Sequence, residues 1–279
     1  MKWKIIADSG CDYRSLDNLA PDTEFVSVPL TIQVGETIYR DDAQLNIDQM
    51  MDEMYATTTA SKSACPSPDD YMKSFEGADN IVVTTTGTLS GSYNSAKIAK
   101  KMYLEEHPNS KIHVIDSLSA GGEVDLLVRK LNHLVAEGLE FDQVLDAITA
   151  YQAKTKLLFV LAKVDNFVKN VRLSKLVGTV VGLLNIRMVG EASKTGTLEL
   201  LQKARGHKKA IKAAFDELLK AGYAGGHITI AHRNNEKFIE QFSALIREKF
   251  AQASIEVLPT SGLCSFYAEE GGLLMGYEI

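Results

Sequence analysis

The residues best suited to binding chemistry lie in a hydroxyl-rich turn at residues 84–99, which reads TTTGTLSGSYNSAKIA. This turn follows the apolar run 81–83, leads into a helical pattern and contains no charged residue before Lys97. The start of a helix offers free backbone N–H groups and a partial positive charge, and hydroxyl groups donate hydrogen bonds without adding charge. Ser90 and Gly91 are therefore candidates for binding an anion, although a plain serine N-cap would explain the same pattern.

A second hydroxyl-rich segment, residues 61–71, reads SKSACPSPDDY and contains Ser63 and Ser67. Ser67 followed by Pro68 and two aspartates is typical of the first turn of a helix. Phosphate sites commonly include arginine or lysine, and these two segments contain few such residues near their hydroxyl groups. Together they indicate an uncharged pocket for a singly charged acid.

Two further serines are placed to join such a site. Ser9 follows the first predicted strand and Ser117 follows the predicted strand at residues 111–116. Ligands of α/β domains bind at the carboxyl ends of the strands, so both serines are candidates for additional contacts. The alternative is that this part of the chain, with Asp8 and Asp12, only forms local turns.

The sequence lacks several familiar catalytic signatures. No P-loop pattern occurs, GTLSG departs from GxGxxG, and Ser90 comes one position too late for the G-x-S-x-G nucleophile elbow. The six histidines show no HExxH or other metal-ligand spacing, so no metal is expected. An acyl hydrolase or transferase that pairs Ser90 with His232 is the alternative function.

Composition predicts a globular chain with a substantial core. Of its 279 residues 45% are hydrophobic and 24% are charged, which suggests two domains of ordinary size. The three cysteines are widely spaced and form no CxxC pair, as in proteins of a reducing cytoplasm. The N-terminal apolar run is too short for a signal peptide, and residues 176–186 are too short for a membrane span. We therefore expect a cytoplasmic protein without stable membrane insertion.

The order of predicted elements indicates an α/β protein with two domains. Strands alternate with helices over residues 1–154, which predicts an N-terminal α/β domain with a parallel sheet. Within it, the alternating pattern around Gly35 and Glu36 predicts a β-hairpin, and Asn46 is the predicted N-cap of the helix that follows. Over residues 155–279 the order changes, and adjacent strand patterns predict a C-terminal α/β domain with a mixed sheet.

Charge is distributed unevenly along the chain. Residues 154–212 contain 13 Lys and Arg against three acidic residues, a net charge of +10, whereas the whole chain has a net charge of −6. Such asymmetry is typical of a docking face, although a well-solvated basic domain would explain it equally well. The segment has few aromatic residues, so nucleic acid is not expected to be a partner.

Six motifs, in a consistent order over nearly the whole chain, resemble those of the DegV family of bacterial fatty-acid-binding proteins. The chain has IIADSGCDY where the family has TDSxxDL, SACPSP for TSQPSP, TLSGSYNSA for LSGTYQSA, and VIDSLSAGG for VIDSxxxSxG. It then has VDNFVKNVRLSK for LDYLxKGGRISK, followed by LLNIRMVGEA and KARGHKKA. Each motif is short, and their common order makes the resemblance specific.

The resemblance implies that a long-chain fatty acid lies in an apolar tunnel between the two domains. Its carboxyl group would be bound by the two hydroxyl-rich turns, here by Ser63, Ser90 and Gly91. The protein would then be a carrier without catalytic residues or cofactors, and a separate fatty-acid kinase would phosphorylate the bound acid. Arg172 and Arg205, in the basic segment, are candidates for docking that kinase.

Two departures from the family pattern concern the head-group site. Cys65 stands where the family has Gln, and the region of the family's GTHTGPG reads LCSFYAEEGG, without a histidine. In the family this histidine is associated with the carboxylate of the ligand, and Tyr267 is the candidate to replace its hydrogen bond.

Candidate contacts to the acyl chain, for which ordinary core packing is the alternative, are Phe159, Leu161, Leu176, Val180 and Leu183.

Overall fold

The structure is a computed structural model that describes residues 2–75, 79–170 and 185–279. The strands are β1 Trp3–Asp8, β2 Thr23–Val28, β3 Thr31–Val34, β4 Thr37–Arg40, β5 Lys62–Ala64, β6 Asp79–Thr84, β7 Ile112–Asp116, β8 Thr155–Leu161, β9 Ile186–Ala192, β10 Leu198–Arg205, β11 His227–His232, β12 Ser254–Pro259 and β13 Leu273–Glu278. The helices are α1 Ile47–Ala56, α2 Pro68–Met72, α3 Ser92–Glu106, α4 Gly122–Ala136, α5 Phe141–Gln152, α6 Asp165–Lys169, α7 His207–Lys220, α8 Glu236–Lys249 and α9 Gly262–Ala268.

A four-stranded parallel sheet of order β2-β1-β6-β7 forms the N-terminal half. Every residue of β1 is buried, as expected for a parallel sheet with helices on both faces. Successive side chains point to opposite faces, so Ile5 packs with α4 and α5, whereas Ile6 packs with α2 and α3. The predicted parallel α/β architecture is confirmed.

A six-stranded mixed sheet of order β10-β9-β8-β13-β11-β12 forms the C-terminal half. Within this sheet, β11 and β12 pair in parallel and the other pairings of the described residues are antiparallel. The mixed sheet predicted from the element order is confirmed. The alternation along β8 divides its side chains between two cores. Leu158 and Val160 pack with α7 and α8, whereas Leu157, Phe159 and Leu161 face the opposite side, toward the N-terminal half.

Helix α4 lies between the two large sheets and contacts both. The contact with β13 is close because glycines meet there. A Cβ atom on Gly122 would lie 2.6 Å from the backbone nitrogen of Gly276 and 2.6 Å from the carbonyl oxygen of Thr229. Since any side chain at this point would collide with backbone, the glycines allow α4 to pack directly on the C-terminal sheet.

Two short elements of the fold were not predicted from the sequence. Strand β5 joins the predicted β3–β4 hairpin to form a three-stranded sheet of order β4-β3-β5. Helix α9 has seven residues, all of them buried. Both are short, so their periodicity in the sequence is weak. Among the helices of the described ranges, none combines the length and the apolar character needed to cross a membrane.

An electrostatic contact joins the two halves between α4 and β12. Arg129 Nη1 donates a hydrogen bond to Glu256 Oε2 at 2.6 Å, and His227 Nε2 lies 3.5 Å from the same oxygen. Burial by itself would raise the pKa of Glu256. Hydrogen bonds with His227, Tyr13 and Arg129 outweigh burial and lower this pKa from an ordinary value of 4.5 to about 2.

We expect Glu256→Gln to lower the free energy of unfolding near neutral pH, and this loss to disappear in acid. A carboxyl group with a depressed pKa in the folded state stabilises the protein above its unfolded pKa, and the contribution is lost as pH falls through the folded pKa. The window therefore extends from about pH 4.5 down to about pH 2. Urea unfolding of both proteins across this window measures the difference, and a difference independent of pH would contradict the assignment.

Candidate functional site

A largely apolar cavity lies between the C-terminal sheet and the strand-end turns of the N-terminal half. The space between its lining residues amounts to about 690 Å³, a figure that includes the part open to solvent. Its apolar lining consists of Leu30, Leu89, Ala120, Leu157, Phe159, Leu161, Phe167, Ala192, Leu198, Leu263 and Leu274, together with Gly196. Its remaining lining residues are Ser63, Thr85, Thr86, Ser90, Ser119, Cys264 and Tyr267.

Ser90 lines this cavity immediately before α3. Its hydroxyl accepts a hydrogen bond from the Ser92 amide at 3.2 Å and donates one to the Ser92 hydroxyl at 3.0 Å. Gly91 is the N-cap residue itself, is exposed, and provides no side chain to cap the helix. Ser90 thus accepts a hydrogen bond from one of the free amides at the start of α3, as the simple capping alternative predicts. Because it also lines the cavity, it remains a candidate for binding an anion.

Ser63 reaches the cavity from β5 and not from a helix start. Its hydroxyl lies 2.9 Å from that of Tyr267, so the structure brings together two of the predicted head-group residues. Ser67, the other hydroxyl of that segment, caps α2 by accepting from the Asp70 amide at 3.2 Å. The two serines therefore have different roles, one structural and one at the cavity.

The ring of Tyr267 is held between two aromatic neighbours. Its centroid lies 4.8 Å from that of Phe167 on α6 and 4.8 Å from that of Phe266. Such contacts restrict the ring and aim its hydroxyl at Ser63. A neutral hydroxyl pair backed by an apolar wall is well suited to binding a carboxyl group at the end of a hydrocarbon chain.

Two of the predicted chain-contacting residues, Phe159 and Leu161, line the cavity. Leu176, Val180 and Leu183 lie outside the described residues, as does Arg172. Sequence reasoning missed Leu157, although the alternation along β8 places it on the same face as Phe159 and Leu161. It also missed lining residues from distant elements, Leu30, Phe167, Ala192, Leu198, Leu263 and Leu274, for which the local sequence carries no signal.

Ser9 and Ser117 are near the site but are not among the described residues that line the cavity. Ser9 is fully buried, and its hydroxyl accepts from the Leu30 amide at 3.0 Å and donates to the Asp41 carboxylate. The Ser117 hydroxyl donates to the Ser119 carbonyl at 3.0 Å. Leu118, which lies between Ser117 and Ser119, adopts a left-handed φ of 55° and turns the chain. Ser119 therefore lines the cavity in place of Ser117.

The cavity lacks the partners of a serine nucleophile in the part of the chain that the structure describes. No histidine lines it there, and His232 lines a separate cleft, where its Nδ1 accepts from the Asn235 amide at 3.2 Å. Burial raises the pKa of the Cys264 thiol well above its ordinary value, which suppresses the reactive thiolate. No group of three or more metal-ligating side chains occurs in the described ranges.

Comparison with known proteins shows that residues 2–277 match the DegV family model. The chain belongs to the DegV family. A DegV domain-containing protein of Streptococcus gordonii is 73% identical to it over 280 residues that span both chains completely. The α/β architecture described above is thus that of a DegV protein.

Solved structures of DegV relatives carry fatty acids. The fatty acid kinase B3 protein of Streptococcus pneumoniae, loaded with linoleic acid, is 74% identical and has a TM-score of 0.98, with both chains fully covered. A DegV protein of Eubacterium eligens, loaded with heptadecanoic acid, is 38% identical with a TM-score of 0.94, and 99% of each chain is covered.

Proposed function

We propose that this DegV protein binds a long-chain fatty acid in the cavity and presents its carboxyl group to a separate fatty-acid kinase. The observation that carries the proposal is the cavity itself, an apolar enclosure with hydroxyl groups of Ser63, Ser90 and Tyr267 on its wall. The fatty acids bound by the two relatives support the same ligand class. The protein acts as a carrier, and the kinase supplies the phosphoryl transfer.

The energetics favour this division between chain and head group. Burying a methylene is worth about 0.8 kcal/mol, so roughly 14 methylenes contribute on the order of 11 kcal/mol before the costs of association. The carboxylate has only to find adequate hydrogen-bond donors, because leaving it unpaired in an apolar cavity would be very unfavourable. Ser63, Ser90, Gly91 and Tyr267 form the head-group site in this proposal, and residues 1–154 and 155–279 are the two domains that enclose the chain.

Lipid analysis of the purified protein tests the ligand class directly. We expect extraction and mass spectrometry to recover a long-chain fatty acid, and delipidated protein to bind linoleate, oleate or palmitate with a ratio near one to one. The ranking of these three ligands reports the chain preference. Protein that contains no fatty acid and binds none of the three would contradict the proposed function.

Replacing Ser90 by alanine is expected to weaken fatty-acid binding by about 1–3 kcal/mol, because the bound carboxylate loses a hydrogen-bond donor. Calorimetric titration of delipidated protein with oleate measures the change. The Ser92 amide also loses its acceptor, so thermal unfolding should be recorded in parallel.

Thr88→Ala is the matched control for Ser90→Ala. Thr88 belongs to the same turn but does not line the cavity, and its hydroxyl donates to the Thr195 carbonyl at 2.6 Å. We expect its removal to leave oleate affinity nearly unchanged. If folded Ser90→Ala binds as tightly as this control, Ser90 does not contact the carboxylate.

Docking of the kinase is proposed to use the basic surface that contains Arg205. This residue is exposed at the end of β10, and Lys208 and Lys209 are exposed close by in α7. We expect Arg205→Glu, and likewise Arg172→Glu, to reduce stimulation of a purified fatty-acid kinase, and the wild-type stimulation to weaken as salt is raised. Arg247→Glu, at an exposed position of α8 outside the basic segment, is the control. Kinase stimulation that is unchanged by both charge reversals, Arg205→Glu and Arg172→Glu, would contradict docking at this surface.

A further inference from the structure

Two buried carboxylates of the N-terminal half hold the amide of Ser261, the N-cap residue of α9, and the first two amides of the helix itself. Asp12 Oδ1 accepts from the Ser261 amide at 2.6 Å. Asp41 uses both oxygens, accepting from the Gly262 amide at 2.9 Å and from the Leu263 amide at 2.8 Å. Carboxylates at a helix N-terminus satisfy its free donors and complement its dipole, so these contacts fix where α9 begins.

Asp41 is built into its position more firmly than a surface capping residue. It has no exposed surface, and it forms an ion pair with Arg14 and accepts a hydrogen bond from the Ser9 hydroxyl. Burial raises the pKa of Asp41, but the Arg14 guanidinium and the Leu263 and Gly262 amides oppose that rise. Since each of these partners is a donor, the site is arranged for an ionised carboxylate with two accepting oxygens.

Helix α9 connects this anchor to the head-group site. Of its residues, Leu263, Cys264 and Tyr267 line the cavity, and the hydroxyl of Tyr267 lies 2.9 Å from that of Ser63. Both ends of α9 are therefore attached to the same small sheet. Asp41 directly follows β4, with its amide donating to the Leu30 carbonyl at 2.9 Å, whereas Ser63 lies on β5.

We infer that Asp41 is a positioning residue for the carboxyl group of the ligand, acting by fixing α9 so that Tyr267 and Ser63 present their hydroxyls together. This inference rests on the proposed function and assigns a role to a residue that does not touch the ligand. It predicts that Asp41 affects affinity for the head group and has little effect on affinity for the hydrocarbon chain.

Comparison of an acid with its alcohol separates these two contributions. Linoleic acid and linoleyl alcohol share one chain and differ only at the end that the hydroxyls would bind. We expect Asp41→Asn to weaken binding of linoleic acid about tenfold, as the loss of one well-made hydrogen bond would. Binding of linoleyl alcohol should weaken by less than about twofold. An asparagine keeps the size of the side chain but places an NH₂ group among donors, so one α9 amide loses its acceptor.

A double-mutant cycle tests whether Asp41 acts through Tyr267. Tyr267→Phe alone should weaken binding of the acid more than binding of the alcohol. Adding Asp41→Asn to Tyr267→Phe should then cause little further loss of affinity for the acid. Asp42→Asn is the matched control, because Asp42 is the adjacent carboxylate and accepts from the Gln44 amide, as an asparagine also would. We expect this control to bind both ligands as the wild type does.

Arg14→Gln provides a second route to the same conclusion if Asp41→Asn fails to fold. It leaves the α9 amides on Asp41 but removes the charge that favours the ionised carboxylate, so a smaller acid-selective loss of about threefold is expected. The proposed role of Asp41 would be overturned if the folded variants lost equal affinity for acid and alcohol, or kept full affinity for the acid. It would also be overturned if the losses of affinity in the double-mutant cycle were additive. A wild-type protein that binds neither ligand would instead overturn the proposed function.

Discussion

Replacing Gly122 by alanine is expected to destabilise the protein by about 3 kcal/mol, although alanine is the better helix former. The added Cβ would lie 2.6–2.7 Å from three backbone atoms of β11 and β13, namely Gly276 N, Thr229 O and Leu274 O. Backbone atoms of a central sheet have no rotamer with which to avoid the collision, so α4 must shift away from the sheet. Urea unfolding measures the loss of stability.

Gly138→Ala is the appropriate control for Gly122→Ala. Among the described residues, a Cβ at Gly138 meets nothing within 4 Å, but Gly138 has a left-handed φ of 77°, so only backbone strain of about 1 kcal/mol is expected. A clearly larger effect at Gly122 would identify steric contact as the cause. Equal effects at the two positions would mean that α4 adjusts easily and that the glycine contact is not needed.

Replacing Ala192 by phenylalanine is expected to weaken long-chain fatty-acid binding by about 100-fold. Ala192 lines the cavity at the end of β9 and is only partly buried, so a larger side chain can enter the cavity without breaking the main cores. Excluding three or four methylenes from the cavity would cost about 3 kcal/mol, which corresponds to that factor. Titration of delipidated protein with oleate measures the affinity.

Two further variants show whether the effect of Ala192→Phe comes from occupied volume. Ala192→Ser is nearly the same size as alanine and should bind oleate almost normally. Ala251→Phe places the same ring at an exposed position after α8 and should change neither binding nor stability. Full oleate affinity in folded Ala192→Phe would show that the acyl chain does not pass this residue.

These two predictions concern one architectural fact, which is that the cavity is walled by both halves of the chain. Helix α4 is packed against both sheets, and the turn that precedes it contributes Ser119 and Ala120 to the cavity. A defect at Gly122 should therefore also weaken binding, whereas a defect at Ala192 should leave unfolding nearly unchanged. Measuring binding and unfolding for both variants therefore separates the packing that supports the cavity from the space available inside it.

Local features of the fold could be read directly from the sequence. Asn46 was expected to cap α1, and its side chain accepts from the Gln49 amide at 3.0 Å. Ser67 with Pro68 predicted the start of α2, where a complete capping box is found. The hairpin around Gly35 was expected too, and this residue has a φ of 57°. Each feature depends on interactions within a few residues, which is why the pattern was sufficient.

The partners of individual site residues could not be read in this way. Ser63 was expected beside a helix start, but it lies on β5 and meets Tyr267, 204 positions later in the chain. Ser9 and Ser117 were reasonable candidates as strand-end residues, yet their hydroxyls are used by neighbouring protein groups. Whether a hydroxyl is available to a ligand depends on what packs against it, which is not a property of its own segment.

The sequence by itself determined the α/β class, the two kinds of sheet, the hydroxyl-rich turn at Ser90 and, through the order of its motifs, membership of the DegV family. These follow from periodicity, capping and motif order, which are local or additive along the chain. Only the tertiary structure decided that Tyr267 and Ser63 are paired, that Asp41 anchors α9, and which side chains enclose the cavity. Those relations join residues far apart in sequence, and they exist only once the sheets and α4 have packed together.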